Sequence, residues 1–581
     1  MGKNSKQPKA LYVIAGIIML YAVILLIRMC VAAGQTIDYP NEYREAANVA
    51  MTRSILEGTN IYSYPANQGE VPAVCYLYGP LMSLIAAGLS VVLPFLSLWT
   101  VHYLISFAAI VISALLIAFM VKRNTKTIIA FSAAFVLTLF CHWRYGYIYG
   151  APDSLGLCLM IAVLYFLSCC DKKYEKIRRL YRYYPVFAAI FTVLTFFTKQ
   201  YFLMVAATGG IYLLFISKKA FVKYAAAGVI MSVVTFLLLW KLCPLYFTYA
   251  VYFLKGPGAG AAMGKTGIAH NNLQISYLGG MLLALFAAAL LALIKFVWDT
   301  LRHMKFSVNI KAFDAPLFNF AVKNEAGNEG AARFNFLILF WIQAALSAIV
   351  LRYIGNNNGA FLSYYLQLFT PALVVLSICC IDNADYSAGV FKLPAALLSR
   401  INKKSPQKSK KLVPVIILAA VYIVVFSYTI MKVEPRLIIN MLSSEEMENW
   451  SKAYEILDTC VANGDIYYVP PLAYHGYENG QYIYNEGQPF VFSQKFLEYH
   501  EKAGLEKKLF PDAYDIIKQH LEFREKLRQR VLDGEYALVT TLDDMDVVFS
   551  EEDLSKHYIK KETIPLRTGN WAWDVQFWVK R

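Results

Sequence analysis

The side chains best placed to do chemistry fall in short polar segments between long apolar runs. Asp38 comes a few residues after the first such run, in TIDYPNEYREA, with Glu42 four positions on. A carboxylate at the rim of a membrane cavity can take a proton from a hydroxyl, and partial burial tunes its pKa for that work. Asp38 equally suits a helix start near Asn41, because Asp before a helix is a common cap. A second polar segment, CHWRYGYIYGAPDSLG, carries Arg144 and Asp153 at the two ends of a Tyr-rich turn. The guanidinium fork of Arg144 suits phosphate or a lipid headgroup. Asp153 can cap the apolar run that follows or serve a catalytic site. Lys199, in FFTKQYF, and Arg352, in VLRYIGNNNGAFLSYYLQ, are cations on the expected outer side, where the positive-inside rule makes basic residues unusual. An ionisable side chain at membrane depth calls for an anionic partner.

The elements that must position these residues are membrane spans. The chain has 581 residues, 58% hydrophobic and 16% charged, with mean hydropathy +0.45. Soluble domains carry about 25% charged residues, so lipid must solvate much of this chain. Roughly eleven or twelve apolar segments can be read between Leu11 and Met431, which makes the expected fold a polytopic α-helical membrane protein. Its net charge of +15 gathers in short loops: Lys122 to Lys126, Lys172 to Arg182, Lys218-Lys219, Arg302 to Lys311 and Arg400 to Lys411. The positive-inside rule explains this better than nucleic-acid binding does. These loops are expected in the cytoplasm with the N-terminus. The loops 34–74, 142–153, 244–275 and 353–360 are expected outside.

An odd number of crossings must separate the first outer loop from Lys122, yet two apolar runs lie between them. Tyr76–Leu98 is therefore expected as a re-entrant piece or as part of one bent span, broken at Gly79-Pro80 and Pro94. Asn41–Glu57 has the composition of a helix lying on the membrane surface. From about Lys432 the charges return, and residues 432–581 are expected as a soluble extracytoplasmic α/β domain behind a membrane domain over residues 1–431. Its expected parts are a helix from Ser443 capped by Ser444, strands over 465–469, 536–541 and 575–579, and one or two helices over 510–532. None of the ten Cys makes a CxxC pair, so metal and redox readings fail. GPGAGAAMGKTG, with Lys255, Lys265 and His270 around it, lacks the spacing and the strand of a phosphate loop. It is expected to order on substrate binding.

In combination these segments resemble the GT-C superfamily of membrane glycosyltransferases, the polyprenyl-phosphate-sugar-dependent enzymes with mannosyltransferase-like and aminoarabinose-transferase-like branches. The residues that carry the resemblance are Asp38 in IDYPNEY, LEGTNIYSY at 56–64, YLYGPL at 76–81, Arg144 with Asp153, and TKQ at 198–200. It covers about residues 10–430. Gly79-Pro80 stands where Pro-Pro is usual, and no DxD or ExD pair follows the first span, so a divalent cation stays an open option. The resemblance implies transfer of a sugar from a polyprenyl-phosphate donor to a glycan, lipid or protein acceptor, with inversion. Asp38, Glu42 and Asp153 would be catalytic, and Arg144, Lys199 and Arg352 would hold the donor phosphate. Tyr43, Tyr78, Gln200, His270 and Tyr364 would bind substrate. A flippase of lipid-linked glycans is the alternative; it predicts charges near the bilayer midplane and two related halves. A scaffold that binds a partner through its outer domain predicts neither arrangement.

Overall fold

The structure is a computed structural model that describes residues 9–35, 43–58, 60, 62, 78–144, 152–170, 180–253, 304–310, 312–322, 327–358, 366–382, 442–480, 494–502, 504–542, 549–568 and 571–581. Within these residues the chain is rich in helices, with a two-stranded and a four-stranded sheet.

The first half is a bundle. It runs through α1 (Lys9–Gln35), α2 (Tyr43–Leu56), α3 (Leu81–Val92), α4 (Leu98–Thr125), α5 (Ile128–Arg144), α6 (Asp153–Ser168), α7 (Tyr184–Phe196), α8 (Val205–Leu214) and α9 (Lys218–Leu242). The bundle is completed by α10 (Gly327–Asn358) and α11 (Thr370–Asp382). Stretches of α1, α4 and α9 are long and apolar enough to cross a membrane, and six further helical stretches are apolar but shorter. On α9, Val229, Ile230, Leu237 and Trp240 all face outward. An outward apolar surface this long has lipid as its natural solvent, and the chain is a membrane protein. The expected apolar runs 276–298 and 412–431 lie outside the described residues.

Local sequence sets the helix ends. Ser97 caps α4 by accepting from the Thr100 amide at 3.2 Å, and Lys126 ends it in the left-handed region at φ 60°. Ser217 caps α9 through the Ala220 amide. Pro80 and Pro94 bracket α3, whose 12 residues reach about 18 Å, well short of a hydrocarbon core of about 30 Å. The expected break in this region is thus present at both prolines. Helix α2 departs from the expected surface helix. It packs on α3 and α4, and it buries the polar Glu45, Asn48 and Thr52 along with Val49, Ala50 and Met51. Thr52 Oγ1 lies 2.7 Å from His102 Nε2 of α4, and Ser83 of α3 donates to the Asn48 carbonyl at 3.2 Å.

Side-chain bonds fix which helix ends lie together. Arg123, at the end of α4, donates to Ser168 and Cys169 at the end of α6. Lys223 of α9 donates to the Arg182 carbonyl just before α7. At this same end an antiparallel hairpin of β1 (Met304–Val308) and β2 (Phe318–Val322) holds the α8–α9 turn, with the Leu317 amide on the Leu214 carbonyl at 2.8 Å. The stretch Arg302 to Lys311, expected as a plain basic loop, contains the first of these strands.

The last part is an α/β domain. Ser443, one residue before the expected Ser444, caps α12 (Ser444–Val461). Its hydroxyl accepts from the Glu446 amide at 3.2 Å, and Glu446 accepts from the Ser443 amide at 2.6 Å. There follow β3 (Ile466–Tyr467), α13 (Ala473–Glu478), α14 (Gln494–Lys502), α15 (Leu505–Leu509) and α16 (Ala513–Leu532). The chain then closes with β4 (Leu538–Leu542), α17 (Glu551–Leu554), β5 (Tyr558–Thr568) and β6 (Trp571–Lys580). The sheet order is β3-β4-β6-β5, parallel between β3 and β4 and antiparallel elsewhere. Strand β5 was not expected, because YIKKETIPLRT places Lys560 and Glu562 among its apolar residues; Ile564 and Leu566 are nonetheless buried.

This domain sits on the bundle. Tyr252 is stacked by Phe496 and Phe510, with ring centroids at 5.5 and 4.8 Å, and its hydroxyl meets His500. Tyr474 lies 4.5 Å from Trp99 at the start of α4.

Candidate functional site

The end of the bundle that carries the α/β domain also holds a buried ion pair. Asp153 is the first residue of α6, where the helix dipole favours a negative charge. Pro152 takes the cap position, so the carboxylate is turned to other partners. Asp153 Oδ2 lies 2.8 Å from Lys199 Nζ, and the two side chains are only 2% and 3% exposed. Asp153 Oδ1 accepts from the Tyr201 hydroxyl at 2.8 Å. Gln367, just before α11, donates from Nε2 to the Tyr201 oxygen at 3.0 Å and to Asp153 Oδ1 at 3.5 Å. Lys199 Nζ also stands 4.3 Å from the centroid of the Tyr78 ring. A buried charge pair is tolerable only when its oxygens and protons are bonded in this way.

Close backbone packing holds the cluster together. The Gly79 amide donates to the Thr198 carbonyl at 3.2 Å, and the Leu81 amide donates to the Phe197 carbonyl at 3.0 Å. Segment 78–81 thus lies directly against the residues preceding Lys199. A methyl group on Gly79 would stand 2.2 Å from the Phe197 oxygen, so only glycine permits this approach. The Tyr62 hydroxyl donates to the Tyr78 carbonyl at 2.6 Å and fixes the same segment from the other side. Next to Lys199, Gln200 donates from Nε2 to the Ala250 carbonyl at 2.5 Å. Ala250 lies in a π-helical turn over Thr248–Tyr252, a form frequent at functional positions. That turn falls within the segment expected as an outer loop from Pro244.

The structure therefore brings together Tyr78, Asp153 and Lys199 of the expected set, with Gln200 alongside. Asp38, Glu42, His270 and Tyr364 lie outside the described residues. Arg144 closes α5, Arg352 lies in α10 and Tyr43 opens α2; for these three, only the backbone positions are described. Sequence reasoning missed Tyr201 and Gln367. Tyr201 carried a usable signal, as a polar side chain beside Lys199 and Gln200 and next to an apolar run, whereas Gln367 meets Asp153 only through the fold. Around this end Gln367 Oε1, Thr370 Oγ1 and both ring nitrogens of His142 are buried without a hydrogen-bond partner among the described residues. Buried polar atoms of this kind are fit to receive water or the hydroxyls of a ligand. Among the described residues no three His, Cys, Asp or Glu side chains gather as a metal site requires.

No protein-family model and no curated protein sequence matches the chain. Similar solved structures are those of the oligosaccharyltransferase AglB from Archaeoglobus fulgidus. The apo form is 14% identical, with a TM-score of 0.38, over 75% of this chain and 59% of that one. The form tethered to an acceptor peptide with the NVT sequon is 12% identical, with a TM-score of 0.39, over 93% and 72%. The complex with an inhibitory peptide and a dolichol-phosphate is 11% identical, with a TM-score of 0.37, over 95% and 74%. The chain thus spans 59% of the length of the first of these.

Proposed function

We propose that the chain is a GT-C-type membrane glycosyltransferase that moves a sugar from a polyprenyl-phosphate donor to a glycan, lipid or protein acceptor outside the cytoplasm. In this reading the N-terminus and the basic end of the bundle face the cytoplasm, and the soluble domain faces out. The acceptor hydroxyl attacks the anomeric carbon as Asp38 takes its proton. The bond from that carbon to the phosphate oxygen breaks, and the polyprenyl phosphate leaves with the electron pair. Lys199, Arg352 and Arg144 meet the charge that develops on the phosphate. Asp153 works through Lys199: it fixes the ammonium in place in an apolar setting, with Tyr201 and Gln367 steadying the carboxylate. Glu42 belongs to the same loop as Asp38, and Tyr43, Tyr78, Gln200, His270 and Tyr364 contact the substrates.

The buried Asp153–Lys199 pair carries the reading. It lies at helix ends beside the docked soluble domain, where a lipid-borne phosphate and an aqueous acceptor can meet. A flippase would concentrate its charges in mid-helix. The test uses the full chain in proteoliposomes with a panel of polyprenyl-phosphate sugars. Transfer should be present in the parent and fall at least about a hundredfold in Asp38→Asn, the usual reach of a general base. Full turnover in Asp38→Asn, with folding intact, would overturn the assignment of the base. Translocation of donor without any transfer would favour the flippase.

A further inference from the structure

The opposite end of the bundle has a surface of its own. The β1–β2 hairpin carries Phe306 at 57%, Val308 at 51%, Ile310 at 79% and Phe313 at 56% exposure. Phe306, Val308 and Ile310 alternate along the chain and so share one face. On the same face Phe318, paired opposite Val308, stacks on Phe306 at 6.1 Å and reaches Phe215 at 5.3 Å. The hairpin is therefore a supported element presenting apolar side chains, rather than a loose loop.

Its attachment fixes its depth. Lys218 Nζ donates to the carbonyls of Asn309 and Ile310 at 2.9 and 2.8 Å, and Lys218 is the first residue of α9. Helix α9 presents its apolar side chains outward along most of its length. The hairpin thus sits where the lipid-facing wall begins, at the level of headgroups. Leu180 and Tyr183 are exposed at the same end, beside the Arg182 carbonyl that Lys223 holds.

Among the described residues the charge around this surface is mostly positive. Lys122, Lys126, Arg182 and Lys219 are exposed here. Asp314, the only acid between Met304 and Val322, is already paired to Lys219 at 3.2 Å. An exposed apolar face ringed by cations fits an anionic bilayer surface, which accepts hydrophobic side chains at the acyl boundary and cations at the phosphates.

The geometry points to an interfacial anchor: the β1–β2 hairpin lays Phe306, Ile310 and Phe313 into the leaflet at the start of α9, while Arg182 and Lys122 engage anionic phospholipid headgroups. This assignment is independent of the proposed sugar transfer, since it uses the other end of the molecule.

The experiment is hydroxyl-radical footprinting of the full chain in nanodiscs of phosphatidylcholine, with and without phosphatidylglycerol. Leu505 at 68% and Ile559 at 58% exposure, both in the soluble domain, report labelling in water. In phosphatidylglycerol discs Phe306 and Phe313 should label more than about tenfold slower than these references, after correction for intrinsic reactivity, because ring burial is worth at least that factor. Protection should weaken in pure phosphatidylcholine. It should also weaken by about fivefold per cation removed in Arg182→Gln with Lys122→Gln. Labelling as fast as the references in both lipids overturns the anchor. Equal protection in both lipids overturns the anionic preference. If the double variant does not assemble, Ile310→Ser with Phe313→Ser probes the same surface. That variant should lose the gain in unfolding temperature that phosphatidylglycerol gives the parent, and retention of the gain overturns the proposal.

Discussion

Gly79→Ala tests whether the polar cluster depends on close contact between two backbone segments. A methyl group at this position would lie 2.2, 2.3 and 2.6 Å from the oxygen, carbonyl carbon and Cα of Phe197. All three are main-chain atoms, so no side-chain rotation relieves the clash. Reaching van der Waals separation requires the segments to part by about 1 Å. The Gly79–Thr198 bond of 3.2 Å and the Leu81–Phe197 bond of 3.0 Å would then exceed any hydrogen-bond distance. Losing two bonds at about 1 kcal/mol each, with overpacking of about 1–3 kcal/mol, gives about 3–5 kcal/mol of destabilisation. The Tyr78 ring would move off Lys199 at the same time, so the proposed transfer should fall even where the protein still folds. The control is Gly88→Ala on neighbouring α3, where an added methyl group meets nothing within 4 Å. That change should be neutral or stabilising by up to about 1 kcal/mol. Denaturant unfolding in a fixed lipid or detergent reads both variants. If Gly79→Ala matches Gly88→Ala in stability and activity, the contact does not organise the site.

Asp153→Asn or Lys199→Met alone should each cost about 3–5 kcal/mol, because a buried charge loses its partner, whereas the double variant should recover much of that loss; strictly additive costs in a double-mutant cycle would contradict the pairing. Burial, with the Arg524 charge nearby, pushes the His520 imidazole down from 6.5 to about 3. The unfolded chain therefore binds the extra proton between those values, so stability is complete above pH 6.5 and declines as the pH falls. At pH 5, still well above the folded value, the loss should reach about 2 kcal/mol by unfolding measurements, and His520→Gln should flatten that dependence. Ser443→Ala removes the hydroxyl half of the α12 capping box and should lower the stability of the α/β domain by about 1 kcal/mol, with little effect on the proposed transfer.

The sequence revealed most of the helices because lipid imposes a coarse rule: long apolar runs must be helical, and the runs around Leu11, Trp99 and Phe221 are. It revealed less where chain geometry rather than hydropathy decides. Helix α2 reads as a surface helix by composition, yet Glu45, Asn48 and Thr52 are buried, because His102 and Ser83 supply polar partners that no local pattern announces. Strand β5 was hidden by its charges, although its buried Ile564 and Leu566 keep the period of two that a half-exposed strand requires. In the site, Lys199 stood out as a cation where few were expected, and Tyr78 belonged to a motif with Gly79. Gln367 could not be assigned, since its partner Asp153 is 214 positions away. The bare Gly-Pro spacing suggested a break in the chain; the close approach of Gly79 to Phe197 is a tertiary fact.

The polar cluster also closes late in synthesis. Asp153, Lys199 and Tyr201 emerge from the ribosome long before Gln367, and Tyr252 waits for Phe496, His500 and Phe510 to enclose it. A nascent chain that ends before α11 holds its carboxylate with one amide donor missing. One that ends before α14 leaves the π-helical turn without its aromatic cover. Truncated products should therefore form helices without acquiring a finished polar cluster.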